Sequence, residues 1–401
     1  MKSKDYVSEK MARRVLYLVT VIFSVAFLYA GNRMAMQSGG LFPPFGDASL
    51  VKARVISISS REVQEQQGFT TTDMVQSVHI RFFAQGLAGE QKGETLLAEQ
   101  VIDGMFGGQM EEIEVGDKVS LYLNPDPLAT TTYMMGDYMR SDGLAVFCLV
   151  FLGMILVFGR MKGFHTILSL LFTCAAVFVV FVPMVLAGYN IYYCAVMVCI
   201  YTVVSTLLLV NGATTKTLTA IIGCAAGVLA SGAITLVMTE LLKLSGLVSQ
   251  ETQFLLDLGT AQPIDLKGVV FAAIIIGAVG AVMDVAMSVA SALAELAEQA
   301  SVVTVRSLFR SGMNIGRDMM STMANTLVLA YIGSSLASVL LLAAYAKSVL
   351  ELINRELIVT EIVQAVTGSM AILLTIPLTS LVAAVLYTRH PKKPLPEQTE
   401  A

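Results

Sequence analysis

The fold is decided by residues 268–298, GVVFAAIIIGAVGAVMDVAMSVASALAELAE. Between Lys267 and Glu295 lie twenty-seven residues with a single charge, Asp284. A run of this length and apolarity predicts a membrane-spanning helix. An ionised carboxylate in its lower half is costly unless a partner or a water-filled cavity accommodates it. The stretch therefore predicts a membrane helix that carries one acid for a structural or functional reason.

The neighbours of Asp284 at helical spacing divide this helix into two faces. Residues three or four positions apart lie on the same side of a helix. The side of Asp284 carries small and polar residues: Gly277, Gly280, Ala281, Ser288, Ser291 and Glu295. The other side is built of Val, Ile, Met and Leu. Because small residues let membrane helices approach closely, we predict that the small and polar stripe faces other helices and the larger apolar face meets lipid.

The composition of the chain agrees with a membrane protein. Its 401 residues are 55% hydrophobic and only 14% charged, against about 25% charged in soluble domains. The formal net charge of −4 argues against nucleic acid as a partner. The five cysteines lie in apolar runs without a CxxC pair, and the three histidines are scattered. We therefore expect no metal site, no disulfide framework and no cofactor.

The pattern of charges divides the chain into four parts. Residues 1–32 combine a basic N-terminus with an apolar first span, which we interpret as an uncleaved helix; a signal peptide cleaved near Ala30 is the alternative. Residues 33–142 hold fifteen of the thirty acidic residues and eight basic ones, and predict an extracytoplasmic domain. Residues 143–390 predict a seven-helix transmembrane domain, and residues 391–401 a cytoplasmic tail.

Residues 33–142 have the patterns of β-strands. Apolar alternation and β-branched residues predict strands at 51–59, 75–84 and 117–124. Glycine-rich segments predict turns at 86–94 and 106–109. Together they predict a small, β-rich, barrel-like domain of about five strands. It contains no nucleophile–base pair and no ligand cluster.

Charge-free runs place the transmembrane helices. The predicted spans are residues 15–32, 143–159, two within 163–215 that meet at Gly188-Tyr189-Asn190, 217–239, 268–294, 319–346 and 362–388. We expect Pro183 to kink or end its helix, and Gly223 and Gly227, at GxxxG spacing, to permit close helix contact. Ser249 is expected to cap a short helix at the membrane surface, which Gly259 closes. The segment before the last span, with Glu351, Arg355, Glu356 and Glu361, is expected to be a short polar loop. The fold class is thus an α-helical polytopic membrane protein of about eight transmembrane helices, with the β-rich domain inserted after the first.

The distribution of Lys and Arg gives the orientation. With eight spans and both termini in the cytoplasm, the cytoplasmic segments contain fourteen of these residues and the short outer loops four. The remaining eight lie in the translocated domain, which the positive-inside rule does not count. Seven spans would put the basic C-terminal segment outside the cell. The count therefore favours eight spans.

A second polar motif follows the cytoplasmic loop at residues 311–336, SGMNIGRDMMSTMANTLVLAYIGSSL. Asp318, Thr322 and Asn325 share one helix face, and Arg317 lies beside them at the predicted inner boundary. Antiparallel packing would bring this face level with Asp284, Ser288 and Glu295. We therefore predict an intramembrane polar site between the two helices, with hydrogen bonding between Asp284 and Asn325.

The two motifs together resemble a known family. GAVGAVMDVAMSVASALAEL (277–296) and SGMNIGRDMMSTMANTLVLAYIG (311–333) are similar to the signature of the YibE/F family of bacterial membrane proteins, which are described as predicted permeases. The resemblance runs from about residue 143 to the C-terminus, and the turn from Gly89 to Glu94 is also similar. It implies a multi-pass protein of the bacterial cell membrane and a permease activity.

Three functions remain open on the sequence. In the first, the protein is a permease for a small solute or ion, in which Asp284 exchanges a proton or cation. In the second, Asp284 and Asn325 only hold helices together, and the chain is a scaffold or sensor whose outer domain binds a partner. The third, an intramembrane aspartyl protease, lacks the GxGD motif, and HExxH and GxSxG are also missing, so we expect no enzyme. No GxxxxGK[ST] is present, so an ATPase would be a separate protein subunit.

The other site residues also have simpler interpretations. Arg317 and Asp318 suit a topology and capping pair at the membrane boundary as well as a transport gate. Glu295 suits the solvated end of a cytoplasmic helix. Asn325 suits a helix–helix contact as well as a ligand. Apart from the lipid bilayer, the predicted partners are the unidentified solute or ion and such a subunit.

Overall fold

The structure is a computed structural model that describes residues 2–38, 50–67, 74–103, 111–124, 131–256, 263–300 and 303–389. The described chain is mostly helical. It falls into two compact units, one formed by Phe42–Met154 and the other by Met1–Leu41 together with Ile155–Ala401. The first unit contains all five described strands, and the second contains nearly all of the described helices.

The strands close into a barrel in the order β1-β2-β3-β5-β4. They are β1 (Val51–Gln67), β2 (Met74–Gly86), β3 (Thr95–Ile102), β4 (Lys118–Leu123) and β5 (Tyr133–Tyr138). Neighbouring strands are antiparallel except for β3 and β5, which run parallel. The three predicted strands and the predicted five-stranded, barrel-like architecture are confirmed.

Alternation along the strands fills the barrel. Every second residue points inward, and Val55, Phe82 and Leu121 are among the buried residues of this core. The predicted turn at 86–94 is confirmed, with Gly93 at φ 88° and its N–H donating to the Gly86 carbonyl at 2.9 Å. That positive φ favours glycine. The turn predicted at 106–109 lies outside the described residues.

The helices follow the predicted order. They are α1 (Lys2–Ser38), α2 (Ser141–Ala175), α3 (Val182–Leu186), α4 (Ile191–Asn211), α5 (Thr215–Leu241), α6 (Gln250–Leu256), α7 (Leu266–Gln299), α8 (Val305–Tyr345), α9 (Val349–Ile353) and α10 (Glu356–Arg389). Ser249 caps α6 as predicted, accepting a hydrogen bond from the Thr252 N–H. Gly259, which we expected to close that helix, lies outside the described residues.

Seven of the described helical segments are long and apolar enough to cross a membrane. The longest of them, Ser141–Leu186, has 46 residues. Arg160 interrupts it with φ 49° and ψ −128°, which are not helical angles. The interruption falls between the two spans that the sequence predicts there. Gly163 lies so close to the Ile155 carbonyl that a side chain would not fit.

Pro183 shapes the end of the same segment. Residues Ala176–Phe181 form a π-helix, in which the Val182 N–H donates to the Val177 carbonyl. A proline has no N–H and its ring crowds the preceding turn, so a widened turn before it accommodates the ring. The helix ends at Leu186 and turns through Gly188, which has φ 85°. The predicted kink and turn are both confirmed.

Helices α5 and α10 pack against each other through the predicted glycine pair. A Cβ added at Gly223 would overlap the Thr379 side chain, and one at Gly227 would overlap that of Thr375. Both threonines are fully buried. Since Gly223 lies opposite Thr379 and Gly227 lies opposite Thr375, the two helices run antiparallel. The GxxxG spacing, common by chance in such sequences, here sets the closest approach of two helices.

A carboxylate ties the loop after α5 to the start of α10. Glu356 accepts hydrogen bonds from the Ser245 N–H at 2.6 Å, the Gly246 N–H at 2.7 Å and the Ser245 hydroxyl at 2.8 Å. It also lies in the first turn of α10, where the helix dipole favours a negative charge. The contact therefore fixes where α10 begins relative to α5.

Replacing Glu356 by alanine is expected to lower the thermal unfolding midpoint of the purified protein. Hydrogen bonds to a charged acceptor contribute about 1.5–3 kcal/mol each, and part of that is lost here because the loop is exposed. Glu356→Gln should fall between alanine and wild type. Glu240→Ala is the matched control, since the Glu240 side chain is 75% exposed and Lys267 is its single ion-pair partner among the described residues. Equal midpoints for Glu356→Ala and Glu240→Ala would contradict this role.

Candidate functional site

Helix α7 is the centre of the helical unit, packing against α4, α5, α8 and α10. Its N-terminus is capped by Asp265, which accepts hydrogen bonds from the Lys267 and Gly268 N–H groups. Sixteen of its residues are buried. Among those that are at most 1% exposed, the largest are Ile274, Ile275 and Leu293. Residues 268–298 thus form the helix against which the rest of the helical unit packs.

The buried face of α7 is the opposite of the one predicted. The branched residues are buried, whereas Gly280, Asp284, Ser288 and Glu295 are exposed. Within one chain, the expectation that the small and polar stripe faces the other helices is therefore wrong for these four residues, while Gly277 of the same stripe lies against Tyr331 of α8. The physical reason is that close approach needs small residues on one side of an interface only. Here α5 and α10 supply them, so the branched side chains of α7 pack into their surfaces.

Helix α8 packs against the rest of the helical unit along one edge. Its first turn has a capping box between Thr304 and Ser307. Only four of its 41 residues are buried, namely Leu308, Gly312, Gly316 and Ser335. A side chain at Gly312 would overlap Ser380, and one at Gly316 would overlap Ile376. The glycine edge thus packs on α10, which leaves the opposite edge of α8 uncovered.

The seven predicted site residues all lie on exposed surface. We call them the open polar face: Asp284, Ser288 and Glu295 of α7, and Arg317, Asp318, Thr322 and Asn325 of α8. Thr322 donates to the Met319 carbonyl within its own helix, and Glu295 accepts a 3.5 Å bond from Gln299. Within the described part of the chain, no hydrogen bond or ion pair links Asp284 to Asn325 or Arg317 to Asp318.

The two helices of this face run antiparallel. At one end, the hydroxyl of Tyr331 lies over Gly277, where a Cβ would be 2.6 Å away. At the other end, Ala292 and Glu295 line an open groove together with Ile315. Going from Tyr331 to Ile315 covers sixteen residues toward the start of α8, and going from Gly277 to Ala292 covers fifteen residues toward the end of α7. The two helices therefore run in opposite directions, almost residue for residue. The same register places Asp284 level with residues 322–325.

Asp284 differs from the other charged groups of the face. It is exposed on an otherwise apolar stretch of α7. Among the residues the structure describes, none forms a hydrogen bond or ion pair with its carboxylate. Behind it lies α5, where the Cys224 thiol contacts the Val282 carbonyl at 3.7 Å. A carboxylate in this position can take up a proton or a cation from water or a solute that contacts the open polar face.

A second polar cluster, which the sequence pattern did not predict, lies between α8 and α10. Tyr331 and Ser335 of α8 lie beside Gln364 and Glu361 of α10. The Tyr331 hydroxyl is buried, and none of the described residues forms a hydrogen bond of normal geometry with it. We had assigned Glu361 to a polar loop, but α10 begins five residues earlier, at Glu356. The i, i+3 spacing of Glu361 and Gln364 was the signal that could have revealed this cluster.

The barrel has its own polar cluster around Glu99. Its carboxylate accepts a hydrogen bond from Thr131 at 3.2 Å and lies 3.2 Å from His79 Nδ1 and 3.6 Å from Arg81 Nε. Thr131 precedes β5, which pairs with β3, so these contacts strengthen the parallel junction of the barrel. In the described ranges, no three His, Cys, Asp or Glu side chains converge as metal ligands.

These features define a class of protein. The long apolar helices and the small barrel after α1 are those of a helical, multi-pass membrane protein. More particularly, the chain belongs to the YibE/F-like protein family, whose model matches residues 147–389. The match covers α7 and α8 with the whole open polar face. No curated protein and no solved structure shows significant similarity to the chain.

Proposed function

We propose that the protein is a permease of the bacterial cell membrane, in which the open polar face handles a small solute or ion. The observation that supports this most is the carboxylate of Asp284, exposed on an apolar helix without a hydrogen-bond or ion-pair partner among the described residues. An acid that served only to hold helices together would bond to a neighbour. A carboxylate without such a bond suits proton- or cation-coupled transport. Transport requires no covalent chemistry, so the proposed role is not enzymatic.

The proposed topology has eight spans with both termini in the cytoplasm. A straight helix of 46 residues would be about 70 Å long at 1.5 Å per residue, more than twice the ~30 Å hydrocarbon core. We therefore assign Ser141–Leu186 as two spans that meet at Arg160. The other six candidate segments bring the number to eight. Fourteen Lys and Arg on the cytoplasmic side, against four in the short outer loops, agree with this arrangement.

A reporter active only outside the cytoplasm tests this topology. Fused after Ala401, it is expected to be silent, because eight spans return the chain to its starting side. Fused within the barrel, after Leu123, it should be active. Strong activity of the C-terminal fusion would contradict the eight-span arrangement.

Access of water to the open polar face distinguishes a permease from a sealed scaffold. Thr322→Cys should react with a water-soluble maleimide several times faster than Leu171→Cys. Leu171 is 61% exposed but lies on the apolar surface of α2, nine residues from Lys162 and so about 13 Å along the helix. Peptide mass spectrometry separates the introduced cysteines from the five native ones. Equally slow modification at both positions would favour the scaffold.

A further inference from the structure

The open polar face has a composition unlike the rest of the helical surface. The outward residues of α1 and α2 are large and apolar, for example Leu18 at 59%, Leu149 at 67% and Phe158 at 85% exposure. The open polar face of α7 and α8 instead carries two aspartates, a glutamate, an arginine, two hydroxyls and an amide. One molecule thus carries two kinds of membrane-facing surface, and only the first is suited to lipid.

Lipid cannot cover this face without cost. A charged side chain at the centre of a membrane helix is costly, and hydrocarbon offers no hydrogen-bond donors. Asp284 and Asn325 form no hydrogen bond or ion pair with other described residues of the same chain. The face therefore needs a polar cover that the described part of one chain does not provide.

We infer that the cover is a second copy of this chain, related by a two-fold axis along the membrane normal. The face is complementary to itself in charge. Helix α8 exposes Arg306, Arg310 and Arg317 beside one acid, Asp318, and is therefore net basic, while α7 exposes Asp284 and Glu295. None of these six residues forms an ion pair within the described chain. In a two-fold interface the acidic helix of each copy meets the basic helix of the other.

The helix register shows which residues meet. Both copies have the same orientation in the proposed topology, so residues at equal depth face each other. Ile315 of α8 and Ala292 of α7 lie at the same depth. Arg310 lies five residues from Ile315 toward the cytoplasm, which is the depth of residue 297 on α7. This is within two residues of Glu295. Arg310 of one copy and Glu295 of the other are therefore within reach.

Asp284 gains partners in the same way. Counting in the other direction, Thr322 is level with residue 285, so the polar side chains Ser321 and Asn325 of the second copy stand at the depth of Asp284. Hydroxyl and amide groups can donate to its carboxylate but carry no charge, so they leave it able to exchange a proton or a cation. The two polar faces then enclose a polar space between the copies. The dimer follows from the uncovered face and the proposed topology, and it does not depend on what is transported.

A photo-cross-linking residue at position 325, or at 321 as a second variant, tests this in intact membranes. We expect a product of twice the 42.9 kDa chain mass, in which peptide mass spectrometry finds only this chain. Its yield should exceed several-fold that of the same residue at position 171, on the apolar surface of α2. Size-exclusion chromatography with light scattering should give the mass of two chains.

Charge reversal provides a second test of the dimer. Glu295→Arg and Arg310→Glu should each lower the cross-linked fraction, and the double variant should restore it. The inference is overturned if the products at 325 and 321 contain a different protein, or if neither position cross-links above position 171. It is equally overturned if the folded protein has the mass of one chain.

Discussion

Replacing Gly227 by leucine is expected to abolish the stable fold of the helical unit. A Cβ at this position would already overlap the fully buried Thr375. Overfilling a packed interface costs about 1–3 kcal/mol even for small additions, and a leucine adds three further carbons. Helices α5 and α10 would have to separate along the seam that also fixes α7. We expect loss of the monodisperse peak in size-exclusion chromatography and a much reduced yield.

Gly333→Leu is the matched control for this prediction. Gly333 also lies within a long helix, but no atom of another described helix or strand lies within 4 Å of the position its Cβ would take. Gly333→Leu should therefore fold normally, and removing a glycine from a helix interior should slightly stabilise it. Equal yields and melting temperatures for the two leucine variants would show that α5 and α10 are not in close contact.

Replacing Asp284 by asparagine is expected to abolish function while leaving the fold intact. The amide has nearly the same shape, and hydrogen bonds between membrane helices average only about 0.6 kcal/mol. The melting temperature should therefore stay close to that of wild type. The variant can no longer exchange a proton or balance a bound cation. A phenotype of the gene deletion should then be rescued by wild type and not by the variant.

Asp284→Leu, compared with Asp284→Asn, separates the role of the ionisable group from that of hydrogen bonding at this position. It removes both the ionisable group and all hydrogen-bonding capacity, so it should also fail to rescue. If Asp284 only holds helices together, the outcome differs, because the asparagine variant then rescues and the leucine variant is destabilised. Full rescue by Asp284→Asn would overturn the proposed transport role.

The order of the elements was readable from the sequence because each rests on a local pattern. The charge-free run of α7 and the alternation in β1 and β2 are such patterns, and they depend on few distant contacts. Pro183 and Gly188 mark their bend and turn for equally local reasons, a missing N–H and a positive φ. These predictions needed no knowledge of the tertiary structure.

Which face of a helix is buried could not be read in the same way. In α7, both a small polar stripe and a branched apolar stripe are compatible with packing in a membrane. The choice depends on the surfaces that α5 and α10 present, and the large apolar stripe is the buried one because Gly227 and Gly232 of α5 lie against Val282 and Phe271 of α7. The site residues were thus named from the sequence, while their outward placement was not.

The start of α10 illustrates a second limit. Glu356 and Glu361 read as a polar loop because acidic residues interrupt an apolar run. In the structure, the first is held by the Ser245 and Gly246 N–H groups and the second lies beside Ser335. Partners that lie about 110 residues away along the chain, or on another helix, leave no local signal.

Ion movement through the purified protein tests the transport role of Asp284 most directly. Proteoliposomes adsorbed on a solid-supported membrane would be exposed to jumps in H⁺, Na⁺ and K⁺ concentration, and the transient current recorded. We predict a current for at least one of these ions in wild type and in the exposed surface variant Glu251→Gln, and none above empty liposomes in Asp284→Asn. Currents of equal size in wild type and Asp284→Asn, or no current in wild type for any of the three ions, would contradict this account.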